Sequence, residues 1–290
     1  MARVRERWRA ALVQFSPVLG DVPANLERHL AEAARARQAG ADLVVFPELS
    51  LTGYYLRDLV GEVALGLASE PMQRLAEASA EVSLLVGFVE ESEDFRFYNS
   101  AAYFEGGRLV HVHRKLYLPT YGMFDEERYF DAGEHIRAFD TRFGRMAVAV
   151  CEDLWHPSVP YVASQDGALT FITVANSPGR GIAGEQIDTA QSYEALVRGY
   201  GQFFQMYCLL ANRAGWEEGV AFWGGSMVAD PCGEIVARAP LLEEYVLQVT
   251  IDPLEVRRSR LRASLVGDER LELTLHELER IRSERTQHQH

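Results

Sequence analysis

The chain has 290 residues and a broad acidic excess, 42 Asp and Glu against 29 Lys and Arg, for a formal charge of -13. That balance argues against general nucleic-acid or anionic-membrane binding, which require clustered positive charge. No apolar run approaches the roughly 18–20 residues of a spanning helix, and Cys151, Cys208 and Cys232 are too scattered for a disulfide framework, so a reduced, cytoplasmic setting is expected.

Short β-rich runs alternate with longer helical patterns, the signature of an α/β architecture. Residues 11–15 read as a strand. Residues 25–39 place Leu26, Leu30, Ala33, Ala34 and Arg37 at helical spacing, and Gly40 supplies the stop. A buried strand over 43–46 ends at Pro47; a short helix over 72–80 and a strand over 84–88 follow. Two hairpins are legible from their turn residues. Residues 100–104 and 109–113 flank Glu105-Gly-Gly-Arg108, and residues 226–229 and 234–237 flank Asp230-Pro-Cys-Gly233. Between them lie strands at 146–150 and 170–174 and helices over 159–165 and 186–205, and residues 242–250 supply a last strand. No repeat or linker divides this body, which reads as one domain over residues 9–255.

The remainder, residues 256–290, is strongly charged, with Leu271, Leu275, Leu278 and Ile281 three or four apart and Thr274 and Glu277 at capping-box spacing. It reads as a solvated terminal helix with one apolar stripe, or as a partner-binding or dimer-spanning extension, since such a stripe seeks burial.

Three segments carry candidate chemistry. In V-F-P-E, Glu48 directly follows a buried strand, at the sheet edge where α/β proteins place ligands; a surface-loop carboxylate is the plainer alternative. In H-R-K-L-Y-L-P stands Lys115. Of the 29 basic residues 28 are Arg, and Lys115 is the exception. A compact ammonium with three donors does what a planar guanidinium cannot, although compositional bias would leave an occasional Lys by chance. In M-A-V-A-V-C-E-D-L-W, Cys151 ends a strand and enters a turn. Such a turn exposes the sulfur and aims backbone N–H groups at a developing oxyanion. A buried structural cysteine is the alternative there, and the better reading for Cys208 and Cys232. A metal site from Cys151, Glu152, Asp153 and His156 does not match the usual ligand spacings.

Taken together, F-P-E, R-K-x-Y-L-P and C-E-D-x-W resemble the nitrilase, or carbon–nitrogen hydrolase, superfamily. The resemblance implies an α/β fold of four layers, an α-β-β-α sandwich, and needs no metal and no organic cofactor. The stretch L-P-T-Y-G-M-F-D-E-E-R-Y-F and the C-E-D-L-W turn are most like the glutaminase domain of glutamine-dependent NAD synthetase. Glu126 matches the superfamily's supporting glutamate, and Tyr121, Glu152 and Ser177 match substrate-contacting positions. Two departures stand out. The Ser-Gly-Gly pyrophosphatase loop of the synthetase half is absent from this sequence, as is a G-x-x-x-x-G-K-[ST] phosphate loop, and Glu185 stands where a basic G-K usually continues.

The resemblance thus implies hydrolysis of a linear amide through a Cys151 thioester, with Glu48 as acid and base, Lys115 on the oxyanion and Glu126 in support. The leading substrate is glutamine, with ammonia passed to a separate NAD synthetase subunit. A stand-alone ω-amidase or N-carbamoyl amidohydrolase is the runner-up, compatible with Glu185, and a non-catalytic interaction module on the same fold is a third reading. The family commonly forms homo-oligomers, dimers or larger.

Overall fold

The structure, a computed structural model, describes residues 6–179, 182–183 and 186–287; Glu185 lies outside them. Two six-stranded sheets form its centre. In the first, β1 (Trp8–Gln14), β2 (Leu43–Val45), β3 (Ser83–Glu91), β4 (Phe97–Glu105) and β5 (Arg108–Arg114) are successive neighbours, and β16 (Tyr245–Ile251) pairs with the free edge of β1. The second comprises β6 (Ala138–Thr141), β7 (Gly144–Val150), β8 (Thr170–Ala175), β11 (Tyr207–Asn212), β14 (Met227–Ala229) and β15 (Ile235–Arg238), again in spatial sequence. Two small ribbons complete the strands among the described residues: β9 (Ile182–Ala183) with β10 (Gln186–Ile187), and β12 (Ala214–Glu217) with β13 (Val220–Trp223).

Helices α1 (Val22–Gln38) and α3 (Glu70–Ala78) cover the first sheet, with the single turn α2 (Val60–Val63) between them in the chain; α4 (Ser158–Gln165) and α5 (Asp188–Phe204) cover the second. Strand alternation builds these layers. On β1, Ala10 and Leu12 join Leu85, Tyr103, Val148 and Val150 between the sheets, whereas Ala11 and Val13 pack with Leu26, Ala33 and Ala36 of α1. The result is an α-β-β-α sandwich, as the resemblance implies.

Strand direction, more than packing, decides where functional side chains gather. β1, β2 and β3 are parallel, and the meander through β4 returns β5 to the same sense. β7, β8 and β11 are likewise parallel. The segments that leave β2, β5, β7 and β8 therefore emerge at the carboxyl ends of parallel strands, where open α/β sheets present their ligand sites.

Several elements differ from the sequence reading. Strand β11 is absent from it: α5 turns directly into this strand through Gln205, at φ 50°, where a glycine would have signalled the break. α5 itself starts two residues late because Gln186 and Ile187 form a strand. The ribbon Ala214–Trp223 also lacks a clear sequence signal, whereas α6 (Pro253–Arg262) begins at an Asp252-Pro253 cap that marks a helix start and that the sequence reading passed over. In α7 (Leu271–Gln287), Thr274 lies inside the helix and its hydroxyl donates to Glu269, so the expected capping box is not formed. Leu271, Leu275 and Leu278 remain 43–58% exposed within the chain. Among the described residues, no helix is long and apolar enough to cross a membrane.

Candidate active site

Glu48 lies three residues beyond β2. Its turn presses against β3, and a Cβ on Gly87 would collide with the Pro47 carbonyl and the Leu49 nitrogen; only a glycine permits this approach. The Glu48 side chain is fully buried, and three donors fix it. Asn99 Nδ2 donates to Oε1 at 2.7 Å, Lys115 Nζ donates to the same oxygen at 2.9 Å, and the Asn176 backbone N–H donates to Oε2 at 2.7 Å.

Lys115 is the residue after β5, with its ammonium completely buried. Its second partner is Glu126 Oε1 at 2.7 Å, which also accepts from the Tyr54 hydroxyl at 2.6 Å. Burial pulls against the charged ammonium, but Glu126 and Glu48 outweigh it and hold Lys115 protonated well above the usual lysine range. Glu126 is pushed up to about 7 by burial, with repulsion from Glu48 adding and Lys115 and Tyr54 opposing. One ammonium thus sits between two carboxylates, one of which holds a proton readily.

Cys151 follows β7 and adopts φ 48°, a left-handed conformation that costs a non-glycine residue roughly 1–2 kcal/mol. A short helical turn, Cys151–Trp155, then begins. This is the strained elbow expected of an exposed nucleophile, although the cysteine is only 6% exposed. Its Sγ lies 3.3 Å from the Tyr193 hydroxyl of α5. Burial first, then Glu48, pushes the thiol well above its usual range, with Lys115 and Tyr193 acting against them. The resting sulfur is a thiol that needs a base.

A cavity of about 240 Å³ opens over Cys151, lined also by Pro119, Tyr121, Phe124, Glu152, Trp155, Ser177, Thr189 and Tyr193. Tyr121, Glu152 and Ser177, separated in sequence, thus line one cavity; the Tyr121 hydroxyl donates to Glu152 Oε2 at 2.8 Å. Ser177 follows β8 and is fixed by its N–H donating to Asn212 Oδ1 at 2.9 Å. Glu126 instead borders a separate cavity of about 180 Å³ beside Tyr54, Arg57 and Asp125.

Sequence reading missed Tyr54, Asn99 and Tyr193. Tyr54 stands close after F-P-E, but nothing in L-T-G-Y-Y marks it. Asn99 and Tyr193 read as ordinary strand and helix-core positions, and only the fold brings them to Glu48 and Cys151.

The family model described as carbon-nitrogen hydrolase matches residues 9–261. The glutamine-dependent NAD(+) synthetase of Thermotoga maritima is 33% identical over 273 residues, covering 91% of this chain and 45% of that protein. The solved glutamine-dependent NAD+ synthetase of Acinetobacter baumannii superposes with a TM-score of 0.76 at 30% identity, over 85% of this chain and 46% of that one. A Saccharomyces cerevisiae protein from branch 10 of the nitrilase superfamily gives a TM-score of 0.80 at 25% identity, over 91% and 97% of the two chains. The chain spans slightly less than half the length of these synthetases. By a family match that covers most of its length, on a two-sheet sandwich shared with those structures, the chain belongs to the carbon–nitrogen hydrolase family.

Proposed function

We propose that the protein hydrolyses a small linear amide through a thioester on Cys151, with glutamine as the leading substrate. The observation that carries this reading is the buried ammonium of Lys115 held between Glu48 and Glu126, 2.9 and 2.7 Å away, beside a cysteine on a left-handed elbow. Glu48 accepts the thiol proton as the sulfur attacks the amide carbon. Lys115, with the backbone N–H of Glu152, stabilises the tetrahedral oxyanion. Protonated Glu48 then gives its proton to the departing nitrogen, the C–N bond breaks and ammonia leaves. Water, deprotonated by Glu48, hydrolyses the thioester and regenerates the thiol, so one difficult displacement becomes two easier ones. Glu126 acts through Lys115, which it orients. No metal or organic cofactor enters this scheme.

The choice of glutamine rests on the cavity wall and on the relatives. Glu152 offers a carboxylate to a substrate ammonium, Tyr121 orients that carboxylate, and Ser177 lies on the same wall. The matched relatives are glutamine-dependent NAD synthetases, so ammonia delivery to an NAD synthetase partner is the accompanying proposal. An ammonia-release screen over glutamine, ω-amides and N-carbamoyl compounds, with Cys151→Ala as the blank, tests both parts. Glutamine turnover that rises on addition of an NAD synthetase supports the full reading. Turnover confined to ω-amides or carbamoyl compounds replaces the substrate while keeping the chemistry, and no release above the blank overturns the hydrolase reading.

A further inference from the structure

A second buried acid–base pair lies beside the elbow and has no place in the reaction scheme. His113 and Asp153 side chains are 2% and 0% exposed, and His113 Nε2 lies 2.9 Å from Asp153 Oδ2. Neither residue lines the cavity over Cys151. Among the described residues, the other bonds of the Asp153 carboxylate are all to backbone. Its Oδ2 accepts from Val150 N at 2.9 Å, and its Oδ1 accepts from Leu116 N and Tyr117 N at 2.9 and 3.1 Å. With three backbone N–H groups already using this carboxylate as acceptor, the imidazole donates to it through Nε2.

The placement of those amides is informative. Val150 immediately precedes Cys151, while Leu116 and Tyr117 immediately follow Lys115. β5 and β7 belong to different sheets, so a single carboxylate ties the nucleophile's elbow to the segment that carries the ammonium. His113, two residues before Lys115 and hence on the same side of the β5 alternation, supplies the fourth donor and fixes the carboxylate's rotation. We infer that His113 and Asp153 are a positioning pair that sets the register between Cys151 and Lys115; the inference rests on the hydrolase reading above.

Physical reasoning gives the expected size of the effect. The elbow is strained, and strained backbone persists only where its surroundings over-determine it. Loss of the imidazole donor leaves Asp153 Oδ2 with the Val150 N–H as its remaining donor and one buried lone pair unpaired, and frees the carboxylate to rotate away from one of its two backbone sets. A shift of about 1 Å between nucleophile and oxyanion donor costs on the order of 100-fold in rate.

The test compares His113→Leu with His113→Gln in the full chain, since a glutamine amide nitrogen reaches about as far as Nε2. Three quantities are read: kcat and KM for the best amide of the screen, the rate at which iodoacetamide alkylates Cys151 by intact mass, and Tm. His113→Leu is expected to lower kcat by about 30–100-fold with little change in KM, and to slow alkylation. His113→Gln is expected to restore most of both. A purely structural role would lower Tm without a selective kcat loss. Unchanged kcat and alkylation in His113→Leu, or a His113→Gln no better than leucine, overturns the inference. Should His113→Leu fail to fold, His113→Asn replaces it, and equal activity of the glutamine and asparagine variants counts against the pair. If the wild-type chain releases ammonia from no amide, the hydrolase reading fails, while the alkylation comparison still decides whether the pair positions Cys151.

Discussion

Lys115 and Arg213 are both fully buried cations, yet their surroundings differ in charge balance. Arg213 Nη1 pairs with Glu217 Oε2 at 2.8 Å, Nη2 donates to Ser16 Oγ at 3.3 Å, and the guanidinium lies 4.4 Å from the Phe222 ring centroid. The other oxygen of Glu217 accepts the backbone N–H groups of Tyr54 and Tyr55. One cation meets one anion, and both are spent on holding loops. Around Lys115, one ammonium meets two carboxylates and a thiol lies close by. That cluster has a proton to move. Burial is common to the two; they differ in charge count, and the unbalanced one, on which the proposed chemistry rests, falls at the chain's single lysine.

Variants at the two cations should part activity from stability. Glu48→Gln removes the proposed proton acceptor while keeping the side chain's shape, and is expected to lower ammonia release roughly 10³-fold with the fold intact by circular dichroism. Arg213→Met reverses the pattern. Leaving Glu217 buried without its cation is expected to reduce unfolding free energy in urea by about 3–5 kcal/mol, with a much smaller loss of kcat in the folded fraction.

Glu126 extends the contrast to pH. Its folded-state value near 7, raised chiefly by burial, lies above that of an exposed glutamate. Between those two values the folded chain binds more protons than the unfolded one, so this group's contribution to stability falls as pH rises toward neutrality. Glu126→Gln is expected to flatten the decline of Tm between about pH 5 and pH 7.5, and an unchanged slope would place the raised carboxyl elsewhere. At the far end of the scale, Arg280 of α7 pairs with Glu277 and Glu284 on an exposed helix. Such pairs contribute little, and Arg280→Ala is expected to leave Tm and kcat unchanged.

Much of this was legible in the sequence, and for identifiable reasons. Strands β2 and β7 are short apolar runs that end in Glu48 and Cys151 turns, and the composition itself isolates Lys115. Strand β11 was not legible, because Gln205 makes a left-handed turn that its residue type does not announce. Nor were the partners of the site. Asn99, Tyr54, Tyr193 and the Asn176 amide come from four separate segments, so their convergence exists only after the two sheets pack. The buried Arg213–Glu217 pair is similarly silent, since a charged residue in a sequence reads as exposed.

Lys115→Arg is the decisive substitution, because it keeps the charge and changes only the shape of the donor. Quenched intact-mass measurement of the Cys151 acyl adduct, alongside ammonia release, reads the result. Loss of oxyanion stabilisation costs about 3 kcal/mol or more, so a folded Lys115→Arg protein is expected to show no accumulating adduct and at most about one per cent of wild-type release. Near wild-type adduct formation and turnover in that variant would contradict a catalytic role for the buried ammonium.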